Sequence, residues 1–242
     1  MKTVFITGGT RGVGKALVEE FCKNGYKTLF CYEKSTEIAE KLESEMQKNG
    51  YSCKGYKLDV SNENEVNAFF EKLLENEKID CLINNAGIGL EQKMLVDVTS
   101  NEWQKVFSVN VNGVFYVTKA VIKSMMYTGG RIVNIGSMWG EKGASCEVCY
   151  SASKGAIISF TKALAKELAS SGVTVNCLSL GVIDTDMNAH LTKEDMQALK
   201  DETPLSRIGV AQDVSPMAVF LCSDKASFIT GQIITIDGGF TL

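Results

Sequence analysis

The sequence is poor in the residues that would divide it, export it or arm it with a metal. Only two prolines, Pro204 and Pro216, occur in 242 residues, and there is no low-complexity linker or internal repeat, so no domain boundary is signalled. A single histidine, His190, is present. The one close cysteine pair, Cys146 and Cys149, has metal-ligand spacing, but no second pair and no nearby histidine completes a set of four, so no metal site is expected. The other cysteines, at 22, 31, 53, 81, 177 and 222, lie mostly within apolar runs, where a free thiol behaves as a small hydrophobe. A disulfide framework is not expected in a chain of this size without an export signal. Long apolar runs are missing as well: the N-terminal stretch reaches glycine at residue 8, too soon for a signal peptide's apolar region or a membrane span. A soluble, cytoplasmic protein with no membrane partner is the expectation. Positive charge is not in excess, the formal net charge being −4 with the basic residues scattered, and this excludes the cationic surface that a nucleic-acid partner requires.

What is present is apolar material in an alternating arrangement. Hydrophobic residues make up 45% of the chain, enough for one well-buried core. Short apolar runs at Val4–Thr7, Thr28–Tyr32, Cys53–Leu58, Ile79–Asn84, Arg131–Ile135, Thr174–Leu178 and Ile233–Ile236 alternate with stretches of helical period. That pattern predicts an α/β fold, a single-domain Rossmann-like three-layer sandwich with a seven-stranded parallel sheet. Val13, Leu17, Val18 and Phe21 mark a first helix, stopped at Gly25. Thr99 with Glu102, and Thr192 with Asp195, have the spacing of capping boxes. The first opens a helix carrying Trp103, Val106 and Phe107 and, further along, Val114, Val117 and Val121, and a long helix with a buried stripe is expected from about Cys149 to Ser170. One stretch, at about 182–208, is polar, irregular and broken by proline, and is assigned as a substrate lid.

The first strand leads into Gly8-Gly9-Thr10-Arg11-Gly12-Val13-Gly14 and then directly into a helix. Glycines here give a tight turn, let the backbone approach a pyrophosphate closely, and bring the helix against the sheet with its positive end at the phosphate. A dinucleotide site follows. Further on, Tyr150-Ser151-Ala152-Ser153-Lys154 sets a phenol and an ammonium on one helical face. A free tyrosine, with a pKa of about 10, is a poor acid at neutral pH, and a neighbouring cation lowers that value. The pair forms a candidate proton-transfer device.

The glycine spacing resembles that of the short-chain dehydrogenase/reductase superfamily of the shorter, single-domain type, and the resemblance extends over nearly the whole chain. Asn84-Asn85-Ala86-Gly87 matches a second landmark of that family, Ser137 lies as far ahead of Tyr150 as the family's catalytic serine, and Asn110 in Asn110-Val111-Asn112-Gly113 matches its asparagine. The resemblance implies a catalytic tetrad of Asn110, Ser137, Tyr150 and Lys154. It implies a cofactor site drawn from Gly8, Thr10, Arg11, Gly12, Val13, Gly14, Tyr32, Lys34, Asp59, Val60, Asn85, Ala86, Gly87, Tyr150, Lys154, Gly181, Ile183 and Thr185. NADPH is expected before NADH, because Arg11 and Lys34 offer positive charge for a 2′-phosphate, with Glu33 as the dissenting residue. Asp59 reads equally as an adenine contact or as an ordinary turn acid. Where the family has proline before Gly181, this chain has Leu180.

Within the superfamily the chain is most similar to bacterial 3-oxoacyl-[acyl-carrier-protein] reductases, on its length, on Tyr150 to Gly155 with Phe160 to Glu167, and on the ending Thr230-Gly231-Gln232 through Asp237-Gly238-Gly239. This implies NADPH-dependent reduction of a ketone, a 3-oxoacyl thioester on acyl-carrier protein, to a secondary alcohol, by a homotetramer. Reduction of a ketone modification on elongation factor P, sugar or steroid alcohol oxidation, and a non-catalytic cofactor-binding scaffold remain open. An acidic carrier protein calls for basic residues near the pocket mouth, and Lys93, Lys142, Lys193 and Arg207 are the candidates, mixed with Glu91, Glu141, Glu194 and Asp195. Trp139 is a candidate pocket wall, Trp103 reads as core or interface, and His190 as surface.

Overall fold

The computed structural model describes residues 1–188 and 191–242, so His190 lies outside the described residues. Seven parallel strands form one sheet in the order β3-β2-β1-β4-β5-β6-β7. They are β1 (Thr3–Thr7), β2 (Lys27–Tyr32), β3 (Cys53–Lys57), β4 (Cys81–Asn84), β5 (Gly130–Ile135), β6 (Val173–Leu180) and β7 (Ile233–Ile236). Each coincides with an apolar run read from the sequence, shifted by no more than two residues at either end.

The alternation of side chains along the strands divides the core. Val4 and Ile6 face one side with Phe30, Ile83, Val133 and Leu178, while Phe5 faces the other with Leu29, Leu82, Ile132 and Val175. On the first side α1 (Gly12–Lys23), α2 (Thr36–Lys48) and α9 (Ala211–Cys222) bury Leu17, Phe21, Leu42 and Leu221. On the second, α3 (Glu63–Leu74), α5 (Val114–Thr128) and α7 (Val148–Leu168) bury Phe70, Val121 and Leu168. A sheet buried on both faces requires strands that are apolar throughout, and β1 and β6 are buried at every residue.

Both sequence-read capping boxes form. Thr99 caps α4 (Ser100–Phe107) with Glu102, and Thr192 caps α8 (Lys193–Glu202) with Asp195. Trp103, Val106 and Phe107 lie on α4, and Val114, Val117 and Val121 beyond them lie on α5 (Val114–Thr128). Between α4 and α5 the chain widens into a π-turn at Ser108–Gly113, which contains Asn110. Gly113 there packs on the loop after β3: a Cβ on it would lie 3.0 Å from Val60 Cγ2 and 3.2 Å from the Val60 carbonyl oxygen. Between β5 and α7 lies a short helix, α6 (Trp139–Lys142).

The strand order reverses between β1 and β4, so the connections from their carboxyl ends run to opposite sides and open a crevice there. Among the described residues no helix is long and apolar enough to cross a membrane.

Candidate active site

The glycine turn and the Asn85-Ala86-Gly87 segment leave adjacent strands at this reversal, and they are fastened together. Thr7 Oγ1 accepts from the backbone amides of Asn85 and Ala86 at 2.9 and 3.0 Å, and Asn85 Nδ2 donates to the carbonyls of Thr7 and Gly8 at 2.9 and 3.0 Å. No side chain would fit at Gly14: a Cβ there would meet the Gly8 carbonyl oxygen and fall 2.6 Å from Asn85 Nδ2. Gly12, at φ +51°, faces Thr185, whose Cγ2 would be 3.2 Å from a Cβ there. Arg11 precedes α1 in extended conformation without a side-chain cap on the first-turn amides, and no acid occupies that turn. Donor amides at a helix's positive end, beside backbone too close for any side chain, fit a dinucleotide pyrophosphate.

Around that cradle the other expected cofactor residues fall as follows. Val13 and Thr10 lie within the turn, Thr10 buried and Val13 half-buried. Tyr32 ends β2, and beyond it Lys34 and Glu33 form an exposed ion pair at 3.2 Å, so the dissenting carboxylate is partly neutralised by its neighbour. Asp59 accepts from both the amide and hydroxyl of Ser61, at 2.9 and 2.7 Å, in an ordinary turn. Gly181 donates its amide to the Ile236 carbonyl at 2.9 Å. Ile183, buried, bridges to Gly209, and Thr185 follows it. Leu180, in the place of the family's proline, is buried in register with Ile236, and its carbonyl accepts from Met138.

The four expected catalytic residues come from the two connections that follow β4 and β5, Asn110 from the first and Ser137, Tyr150 and Lys154 from the second. Ser137 is buried, and its Oγ accepts from the Trp139 amide at 3.2 Å. Ser137 meets Tyr150 because α6 lies directly on α7: a Cβ on Gly140 would stand 2.7 Å from the Lys154 carbonyl carbon and 2.8 Å from the Gly155 nitrogen. Lys154 is buried, its Nζ donating to the Ile135 carbonyl at 2.8 Å and lying 5.6 Å from the Tyr150 ring centroid. Asn110 is held on all sides: Oδ1 accepts from the Ile88 amide at 2.8 Å, and Nδ2 donates to the Ile88 carbonyl at 2.9 Å and to Ser153 Oγ at 3.0 Å. Ser153, fully buried, donates in turn to the Tyr150 carbonyl at 2.7 Å. Gly87 keeps a gap open beside this group, since a Cβ on it would lie 3.4 Å from Asn110 Oδ1 and 3.5 Å from Lys154 Nζ.

The electrostatics differ from the expectation that Lys154 governs the phenol. Burial dominates, pushing Tyr150 up to about 12, and hydrogen bonding with Ser137 pulls the other way. Burial also brings Lys154 down to about 8. The ammonium sits over the ring face, 5.6 Å from its centroid, and is bound to the Ile135 carbonyl.

Ser153, Gly140, Ile88 and Thr7 were not singled out in the sequence. Their contacts join residues far apart along the chain, and only the serine and glycine types, apt for close approach, hint at them. Of the basic residues considered for an acidic partner, Lys93 is paired with Glu102 and Arg207 with Asp213. These pairings hold both carboxyls down at about 2. Lys142 and Lys193 are exposed. Cys149 is buried with its thiol 3.9 Å from the Trp103 carbonyl, and Cys146 is half-buried in left-handed conformation. Among the described residues no group of three or more His, Cys, Asp or Glu is placed to hold a metal ion.

The chain is similar to known proteins over nearly its whole length. Residues 8–241 match the family described as Enoyl-(Acyl carrier protein) reductase. The chain is 39% identical to the 3-oxoacyl-[acyl-carrier-protein] reductase FabG of Aquifex aeolicus, over 98% of this chain and 96% of the relative. It is 38% identical to the 3-oxoacyl-[acyl-carrier-protein] reductase of Synechocystis, over 100% of this chain and 97% of the relative. Among solved structures, a blue fluorescent protein from a metagenomic library, crystallised in complex with NADPH, is similar at a TM-score of 0.92 and 32% identity, covering 100% of this chain and 98% of that one. With matches of this extent, the chain belongs to the short-chain dehydrogenase/reductase superfamily.

Proposed function

We propose that this protein reduces the ketone of a 3-oxoacyl thioester, carried on acyl-carrier protein, to a secondary alcohol with NADPH. The observation that carries the reading is the meeting of Ser137, Tyr150, Lys154 and Asn110 beside a glycine turn that admits no side chain at Gly14. Curated relatives with this activity, and a solved relative holding NADPH, support the substrate and the cofactor.

When bound, the reduced nicotinamide supplies hydride to the carbonyl carbon. The residues of the chain handle the proton and the charge. Tyr150, at about 12, is fully protonated at neutral pH and is a donor to the developing alkoxide, a far stronger base. Ser137, which accepts from the Trp139 amide and is hydrogen-bonded to Tyr150, would turn its O–H from the phenol to the substrate oxygen as charge builds there. Lys154, mostly charged at neutral pH, stabilises the phenolate left behind. Asn110 and Lys154 flank the gap preserved by Gly87, a place for a water that returns a proton to the pair. Gly8, Gly12, Gly14, Asn85, Ala86 and Thr185 would hold the cofactor's pyrophosphate and its surroundings, Gly181 and Ile183 would wall the nicotinamide side, and Arg11 and Lys34 would supply positive charge for the 2′-phosphate.

The same reading makes the segment at 182–208 a lid and the protein a cytoplasmic homotetramer. Strand β7 is an edge strand with half-exposed residues, and Phe228 and Leu242 are fully exposed, surfaces that another subunit would cover.

The test is to follow NADPH and NADH oxidation separately with 3-oxoacyl-acyl-carrier protein, acetoacetyl-type thioesters, trans-2-enoyl thioesters, a sugar lactone and a steroid ketone. Faster NADPH-linked turnover of the 3-oxoacyl thioesters is expected. No thioester reduction alongside good turnover of another ketone overturns the substrate, and preferred enoyl reduction overturns the reaction.

A further inference from the structure

The chain ends in a tight turn that touches three separate parts of the site. Asp237 anchors it: one carboxylate oxygen accepts from the Gly239 amide at 2.9 Å, the other from the Thr241 amide and hydroxyl at 2.9 and 2.7 Å. These bonds outweigh the effect of burial and hold its carboxyl below the usual range. Behind the turn is Gly181, where a Cβ would fall 2.6 Å from the Asp237 Cα. Beside it is the end of the proposed lid. The Leu205 amide donates to the Gly238 carbonyl at 3.1 Å, and a Cβ on Gly238 would reach within 2.7 Å of Thr203 Cγ2. The third contact is aromatic, with the Phe240 ring meeting the Trp139 indole edge to face at 5.7 Å and 88°.

Trp139 is therefore held at both ends. Its amide binds the hydroxyl of Ser137, and its half-buried indole rests against a ring carried on a carboxylate-stapled turn. A large aromatic surface fixed next to the serine that faces the substrate oxygen limits what can extend from the carbonyl carbon.

We propose that Phe240 is a specificity-determining residue, which sets the position of the Trp139 indole as a wall of the substrate site and so fixes the length and bulk of the acyl chain accepted. The proposal rests on the ketoreductase reading above. Without the Phe240 ring, the indole gains freedom to swing towards the space vacated at the C-terminal turn. The pocket then lengthens, while Ser137, Tyr150 and the cofactor cradle keep their places.

The experiment compares wild type with Phe240→Ala, Phe240→Leu and Phe240→Tyr on a series of 3-oxoacyl thioesters from acetoacetyl to long-chain. It also records Trp139 fluorescence in a Trp103→Phe background, and NADPH affinity. For Phe240→Ala the ratio of kcat/KM for long over short chains is expected to rise at least about tenfold, the lower end of what one methylene confers in an apolar pocket. Trp139 emission moves to the red, NADPH affinity holds, and Phe240→Tyr behaves as wild type. Phe240→Leu keeps apolar bulk without a ring, shows the same trend in smaller degree, and replaces the alanine variant if that one does not fold. An equal loss across all chain lengths, or an unmoved Trp139 emission, overturns the proposal. If wild type reduces no 3-oxoacyl thioester, the substrate reading fails on its own. Phe240 is then judged by the emission shift and by the ratio for a large over a small ketone that wild type does reduce.

Discussion

The cofactor side and the substrate side of the site are built on different principles. At the reversal between β1 and β4, position is set by backbone: amides of Asn85 and Ala86 on Thr7, and glycines whose neighbours leave no room for a Cβ. Across the crevice, an indole rests on a phenyl ring, and the C-terminal turn packs on Thr203 and on the Leu205 amide. Backbone contacts tolerate almost no substitution, whereas side-chain contacts can be exchanged at modest cost. A fold built this way keeps its chemistry while its substrate changes.

The sharpest way to break the comparison is at the reacting group. Replacing Tyr150 by Phe is expected to lower kcat by roughly a thousandfold, the scale of a positioned general acid, with NADPH affinity retained in a direct binding titration. Retained turnover would mean that another group donates the proton. Next in size is Gly14→Ala. Its methyl group would overlap the Gly8 carbonyl, so cofactor binding should be lost and stability should fall by about 1–3 kcal/mol, read by nucleotide titration and thermal melting. A Leu205→Ala control on the substrate side, at a residue 66% exposed, should leave both measurements nearly unchanged.

Two smaller effects sharpen the boundary between the halves. Lys154 is held down at about 8 by burial, so reduction should weaken as pH rises through that value and the ammonium loses its proton. The stability consequence has the opposite sense. Below about 8 the charge is buried in the folded state and exposed in the unfolded state, a penalty that is relieved between about 8 and the ordinary lysine value near 10.4. Lys154→Met should therefore raise the melting temperature at neutral pH and less so at pH of about 10. The smallest change is Ser153→Ala, which removes one partner of Asn110 Nδ2, and a several-fold loss in kcat with KM unchanged is expected. Ser153→Thr, retaining the hydroxyl, should restore part of it.

The same division explains what was legible in the sequence. Strands such as Val4–Thr7 and Thr174–Leu178 were visible because a sheet covered on both faces needs unbroken apolar runs, and the glycine turn because only glycine meets its constraints. The π-turn at Ser108–Gly113 was not, since Val106, Phe107 and Val114 keep an apolar pattern that reads as one helix. Nor was the weight of burial on Tyr150 and Lys154, because composition says which charges are near in sequence and nothing of how much water reaches them. Helices α2, α3 and α9 are not legible one by one in the sequence. In α9 a proline, Pro216, lies inside the helix where it ordinarily marks a break.

Where α6 crosses α7 at Gly140, main chain rests on main chain with nothing compressible between. Such a contact is a hard stop: the span from one hydroxyl to the other cannot drift as the surrounding walls are remodelled over generations. Descendants of this scaffold are thereby free to trade one carbonyl compound for another without having to rediscover how to move a proton.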